Sequence, residues 1–264
     1  MMTEAAASFS DGEAYERLMG RWSRLAGAQF LDWIDPPKGL HWLDVGCGNG
    51  AFTEVLIARC EPSAVLGIDP SEAQLAYART RPGTKLAQYR VADAEKLPFA
   101  DDSFDAATMA LVIIFVSDPV QAVREMARVV RPGGIVATYM WDFHAGGFPL
   151  GPLIRGVKSL GVTLSAASNP DASRMAAMRN VFERAELEAL DTRVIRVPIR
   201  FADFDDFWAT NTLPLGTYGN AIAAMSQADR ARLKDYLHKT LPIAADGSIT
   251  YDAIANALKG RVAA

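Results

Sequence analysis

Apolar positions set two rhythms along this chain. Residues 11–34 place Tyr15, Leu18, Trp22, Leu25, Phe30 and Ile34 near helical spacing, and Pro36-Pro37 ends the pattern. From there to 142, short apolar runs alternate with amphipathic stretches. The runs at 41–45, 64–68, 86–91, 104–110 and 135–141 read as strands, and the stretches at 51–58, 72–79 and 120–130 as helices. Ser71 is placed to cap the second of these helices, and Arg131-Pro132-Gly133-Gly134 closes the third. Such alternation implies crossover connections, a parallel sheet and helices on both of its faces.

Beyond 142 the rhythm changes. Gly146, Gly147, Pro149, Gly151 and Pro152 mark a loop. Residues 153–165, 172–190, 203–212 and 226–240 then read as helices. Residues 193–201 alternate as a half-buried strand does, Asp246-Gly247 is a turn, and 249–258 is a last strand. The expected division is one domain over 1–264. Its core is 38–142 plus 190–201 and 248–260, and its helical cap is drawn from 1–35, 143–175 and 203–245.

Composition narrows the class. Half of the 264 residues are hydrophobic, enough for a sizeable core without a disulfide or metal staple. The two cysteines, Cys47 and Cys60, are no disulfide framework and read as reduced thiols. A net charge of -4 gives no reason to expect nucleic acid as a partner. Residues 1–10 lack a secretory pattern. The longest apolar run, 106–116, falls short of the ~18 residues of a membrane span. A cytoplasmic protein is expected. No carboxylate or histidine cluster has metal-ligand spacing, so no metal is expected.

The chemistry concentrates where strands end. Leu43-Asp44-Val45-Gly46-Cys47-Gly48-Asn49-Gly50 runs from a strand through a glycine-rich turn into a helix. Glycine permits positive φ and close approach of a ligand, and N–H groups at a helix start can face a polar group. The spacing is Gly-x-Gly-x-Gly, not the dinucleotide Gly-x-Gly-x-x-Gly, yet the small Ala51 at the later position leaves a dinucleotide open. Asp69 ends the second strand, where a carboxylate accepts both ribose hydroxyls of an adenosine. It equally suits the start of the next helix. Asp93 follows the third strand and can accept from an exocyclic amine, or serve as an ordinary loop aspartate. The three together lie at the carboxyl ends of adjacent strands, where open α/β sheets bind ligands.

Asp44-Val-Gly-Cys-Gly-Asn-Gly, Gly67-Ile-Asp-Pro-Ser, Asp93-Ala-Glu-Lys-Leu-Pro-Phe, Asp102-Ser-Phe-Asp and Arg131-Pro-Gly-Gly resemble the successive motifs of class I S-adenosylmethionine-dependent methyltransferases. Residues 40–142 are most similar to the small-molecule branch that includes the ubiquinone and menaquinone C-methyltransferases. The resemblance implies a doubly wound, Rossmann-like, mainly parallel seven-stranded sheet, with S-adenosylmethionine as cofactor and a small-molecule methyl acceptor, apolar or aromatic. It implies that Gly46, Cys47 and Gly48 line the methionyl part, with Asp44, Gly50 and Pro70 around the cofactor. Asp69 would hold the ribose, and Gln74 would stand beside adenine. Asp93 and Ala94 would meet the adenine edge, and Ala110 and Leu111 would pass the sulfonium. Tyr15 or Arg21 would meet the cofactor carboxylate.

The chain departs from many relatives in one place. Ile114 and Phe115 stand where those carry a histidine pair. The catalytic residues are therefore unassigned, with His144 and Asp142, after the fifth strand, as the candidates to flank an acceptor. A catalytically silent cofactor-binding or interaction protein on the same fold is the alternative.

Overall fold

The computed structural model describes residues 20–162, 167–214 and 216–264. The regular part opens with α1 (Arg21–Ile34), β1 (His41–Val45), α2 (Ala51–Cys60), β2 (Ala64–Asp69), α3 (Glu72–Thr80) and β3 (Ala87–Val91). It continues through β4 (Phe104–Ala110), α4 (Pro119–Val129) and β5 (Val130–Trp141). The second part holds α5 (Gly151–Ser159), α6 (Met175–Arg184), β6 (Glu188–Phe201), α7 (Phe204–Asn211), α8 (Gly216–Ala223), α9 (Gln227–Thr240) and β7 (Ile249–Arg261).

The seven strands form one sheet in the order β3-β2-β1-β4-β5-β7-β6. The first five run parallel, and β7 lies antiparallel between β5 and β6. This is the doubly wound sheet expected above. The strand order reverses between β1 and β4, so a crevice opens beyond their carboxyl ends.

Apolar side chains cover both faces of the sheet. On one, Trp22, Phe30 and Leu31 of α1 and Leu56 of α2 pack on Trp42, Ala106 and Tyr139. Phe30 meets Tyr139 at a 4.7 Å ring separation, and a Cβ on Gly27 would stand 3.0 Å from Phe52, so glycine lets α1 approach α2. On the other face Val123 and Met126 of α4 and Met178 and Phe182 of α6 pack on Leu43, Ala107, Met109 and Val136.

Three regions differ from expectation. Arg131-Pro132-Gly133-Gly134, expected as the turn that closes a helix ahead of a strand at 135–141, lies within β5, which begins at Val130 and shifts register against β4 there. The helix expected over 172–190 is instead a 3-10 turn at Pro170–Ser173 followed by α6, and β6 already begins at Glu188. α6 stops in a Schellman closure: Leu187 N–H bonds the Phe182 carbonyl, Glu186 N–H bonds that of Glu183, and Glu186 sits at φ 61°. Glycine or asparagine usually marks that position, and glutamate hid it. Residues 213–225 carried no expectation, yet α8 forms there despite Gly216 and Gly219, poor helix formers.

The segments assigned to a cap take different places. α1 is a covering helix of the sheet, and α6 lies on the opposite face. Residues 1–19, and 163–165 of the expected 153–165 helix, lie outside the described residues, and α5 already ends at Ser159. β5 leaves β7 at the pair Trp141–Ala255, while β6 and β7 remain paired through 196–201 and 249–254. The hairpin therefore overhangs the carboxyl edge of the sheet by about 20 Å. Ile199, Phe201 and Ile249 of the overhang are buried in one cluster with Leu153 of α5, Phe207 of α7 and Leu233 and Leu237 of α9. Among the described residues no helix is long and apolar enough to cross a membrane.

Candidate active site

The turn after β1 needs its glycines. Gly46, Gly48 and Gly50 adopt φ of 72°, 51° and 78°. A Cβ on Gly46 would fall 2.5 Å from Val112, in the turn after β4, whereas one on Gly48 would meet open space. The backbone at Gly48 is thus accessible to a ligand. The N–H groups of the turn are less free than expected. Gly46 and Cys47 both donate to the Ile68 carbonyl at 2.8 Å, and Gly48 donates to Asp69 Oδ2 at 3.0 Å. Gly50 donates to the Cys47 carbonyl, and Ala51 to Asn49 Oδ1. The loop is held in shape by these bonds.

Two carboxylates flank it. Asp44, on β1, is fully buried and accepts the Thr53 hydroxyl on Oδ2 at 2.6 Å, while its Oδ1 has no hydrogen-bond partner. Burial pushes its pKa up to about 7, against the Thr53 bond and with help from the Asp69 charge. Asp69 ends β2. Its Oδ1 accepts from Ser71 N–H and its Oδ2 from Gly48 N–H, and burial raises its pKa despite both bonds. Asp69 thus serves the helix start and the loop at once. Across the strands Asp44 pairs with Thr108 on β4 and Gly67 on β2, and Gly67 with Tyr89 on β3. The Thr108 and Tyr89 hydroxyls are also buried without partners, so the row is polar and unsatisfied inside an apolar sheet. Only the glycine at 67 makes room, since a Cβ there would lie 2.8 Å from both Cys47 Sγ and the Tyr89 ring. The sequence reading missed Thr108 and Tyr89, whose sole signal is a hydroxyl on a strand face that is otherwise apolar.

The remaining residues fall around this centre. Asp93 is exposed and its Oδ1 accepts from Glu95 N–H, with Ala94 half-buried beside it. Gln74 is buried in the first turn of α3 and Pro70 is exposed ahead of it. Ala110 ends β4, and Leu111 follows at φ 61°, a left-handed conformation costing a non-glycine residue about 1–2 kcal/mol. Such strain gathers at functional sites. Tyr15 lies outside the described residues, as does the side chain of Arg21.

His144 and Asp142 sit apart, beyond β5. Asp142 accepts from Ala145 N–H and from Asn256 Nδ2. His144 pairs through Nε2 with Asp171 at 2.9 Å and through Nδ1 with Arg174 at 2.9 Å. Among the described residues no group of histidine, cysteine and acidic side chains is arranged to hold a metal ion.

Residues 43–138 match the family described as a methyltransferase domain. Over those residues the chain is similar to a methyltransferase domain. An O-methyltransferase, cnsE of Penicillium expansum, is 31% identical over 173 residues, 63% of this chain and 59% of that protein. The ubiquinone/menaquinone biosynthesis C-methyltransferase UbiE of Paracoccus denitrificans is 36% identical over 115 residues, 42% of this chain and 46% of its own. In fold, the domain is like Haemonchus contortus phosphoethanolamine N-methyltransferase 2 in complex with S-adenosyl-L-methionine, at a TM-score of 0.57 and 18% identity, covering 96% of this chain and 56% of the other. The chain spans between 34% and 59% of the length of the first curated relatives it matches. The matched segment holds the glycine loop, Asp44, Asp69 and Asp93.

Proposed function

We propose that the protein transfers the methyl group of S-adenosylmethionine to a small-molecule acceptor, apolar or aromatic in character. The observation that carries the reading is the buried Asp44 carboxylate, with an unpartnered oxygen two residues ahead of the glycine loop. A buried carboxylate is costly unless it meets a cation or donors. The donor's methionyl group brings an ammonium and a sulfonium, so the residues fit it. A dinucleotide fits poorly. Its pyrophosphate needs free N–H groups, yet those of Gly46, Cys47, Gly48, Gly50 and Ala51 are engaged and two carboxylates stand close by.

Within this reading Gly46, Cys47 and Gly48 line the methionyl part. Asp44 carries the complementary charge, and Gly50 and Pro70 border the site. Each Asp69 oxygen already accepts one N–H and keeps a lone pair for a ribose hydroxyl. Asp93 and Ala94 meet the adenine edge, Gln74 stands beside it, and Ala110 and Leu111 pass the sulfonium. Tyr15 or Arg21 meets the donor carboxylate. When bound, S-adenosylmethionine supplies a methyl made electrophilic by its sulfonium. The chain's own work is to orient the acceptor and exclude water.

An apolar or aromatic acceptor is supported by the stacked, half-buried Phe143 and Phe148 just past β5, at 4.6 Å between rings. The O- and C-methylating relatives support a small molecule. The chain works as one unit, core and overhang together. Its cytoplasmic placement rests on two free, buried thiols. Calorimetry with S-adenosylhomocysteine and with NAD tests the reading. Binding of the sulfur ligand is expected, and tight NAD binding without it overturns the proposal.

A further inference from the structure

We infer that Arg81 is a positioning residue for the glycine loop, acting on donor binding through the Asn49 carbonyl without touching the donor. The inference rests on the reading of that loop as the donor site. Arg81 follows α3, far along the chain from the loop, yet its side chain is buried to 7% exposure. Its Nε donates to the Asn49 carbonyl at 2.6 Å, and its NH1 pairs with Glu54 Oε2 of α2 at 3.1 Å. Arg24 of α1 pairs with the same Glu54 oxygen at 3.0 Å, and the Tyr77 ring lies 5.4 Å under the guanidinium. Gly83 leaves space for the acid, since a Cβ there would stand 2.5 Å from Glu54 Oε1.

The loop needs such a tie. With three glycines at positive φ it has wide conformational freedom when unheld. Its first half is fixed from β2, by the Ile68 carbonyl and Asp69. Its second half, Asn49-Gly50, meets Arg81. A planar peptide carries its C=O and N–H on opposite sides. Holding the Asn49 oxygen toward Arg81 therefore aims the Gly50 N–H back at the Cys47 carbonyl, which it reaches at 2.9 Å. A buried guanidinium can make both the carbonyl and the carboxylate bonds from one rigid plane, and an ammonium cannot. The methionyl half of the donor, lying on this loop, depends on the tie. The adenosine half, at Asp69 and Asp93, does not.

The test compares S-adenosylhomocysteine with 5′-methylthioadenosine, which lacks the amino-acid part, by calorimetry on the full chain. Arg81→Met is expected to weaken the first by about tenfold, as loss of one charge-assisted hydrogen bond does, and the second by less than about twofold. Arg81→Lys is expected to recover less than half of the loss. With turnover, the donor KM rises while kcat at saturation holds. Glu54→Gln, which keeps the shape and removes the charge behind Arg81, carries the test if the arginine variants do not fold, with a smaller loss in the same direction. Equal losses of both ligands, or unchanged S-adenosylhomocysteine affinity in all three variants, overturn the inference. Failure of the unaltered protein to bind S-adenosylhomocysteine overturns instead the function on which it rests.

Discussion

At the carboxyl ends of β1 and β2 the chain buries Asp44, sets Asp69 beside it and closes a glycine loop with hydrogen bonds donated by the backbone N–H groups of Gly46, Cys47, Gly48, Gly50 and Ala51. Past the end of β5, the overhanging hairpin instead buries Ile199, Phe201 and Ile249 against helices α5, α7 and α9. The first region is polar, anionic and specified atom by atom. The second is apolar and specified by shape. On the proposed function, the first would hold the donor by fixed partners and the second would meet the acceptor by shape. The matched family segment, 43–138, covers the first region and stops short of the second.

The comparison breaks most visibly if the apolar side is cut. Phe207 is 1% exposed and packs edge-on against Phe201 at 5.0 Å. Phe207→Ala should cost about 3–5 kcal/mol of stability, read by denaturant unfolding. In the protein that remains folded, S-adenosylhomocysteine affinity should be unchanged. A parallel loss of affinity would show that the two regions are not separable. On the polar side, Asp69→Ala should weaken donor binding by about 2–5 kcal/mol, through lost ribose bonds and orphaned Gly48 and Ser71 N–H groups. Calorimetry decides it, and an unchanged dissociation constant would leave Asp69 as a helix-start residue alone.

Asp44 sharpens the contrast, because it should oppose folding and support binding. Its pKa is raised from 3.8 to about 7 in the folded protein. The folded state then binds the proton more tightly, so this group's stabilisation is full below about pH 4 and is lost as pH rises through about 7. Asp44→Asn should therefore stabilise the ligand-free protein at pH 8 by about 1–3 kcal/mol while weakening S-adenosylmethionine binding. In the unaltered protein, donor affinity should rise with pH up to about 7 and level off above it. Thermal melts and titrations at pH 5.5, 7 and 8.5 measure both. Affinity that is flat over this range would remove Asp44 from the site.

The polar region was legible in the sequence and the apolar one only in outline, for physical reasons. β1 and β4 form at the expected limits because Gly46 and the Asp102-Ser103 turn punctuate them locally. Asp69 was placed by its distance from the loop. Arg81 was not, since its partners lie 32 and 27 residues away and nothing local marks it. The overhang went unseen because period-two alternation in 193–201 identifies a strand but not the neighbour it outruns. Glu186 hid the end of α6 by taking a conformation usually given to glycine.

His144 carries the smallest expected effect, and a sharp one. It stands past β5, on the side proposed for the acceptor, and pairs with an aspartate, as a general base would. Its other partner decides its role. A guanidinium only donates hydrogen bonds, so the Nδ1 that faces Arg174 at 2.9 Å must be the ring's acceptor. The proton then lies on Nε2, toward Asp171. Both ring nitrogens are engaged, and no lone pair is left to take a proton from an acceptor. The trio instead fastens the 3-10 turn at Pro170–Ser173 to the end of β5, beside the Asn256 bonds to Asp142 Oδ2 and the Ser173 carbonyl. A general base contributes about a hundredfold or more to rate. His144→Gln should instead change kcat by less than about threefold and leave the pH profile of kcat in place. A hundredfold loss, with the acid limb of that profile gone, would mean that Arg174 withdraws when acceptor binds and that the apolar region supplies chemistry as well as shape.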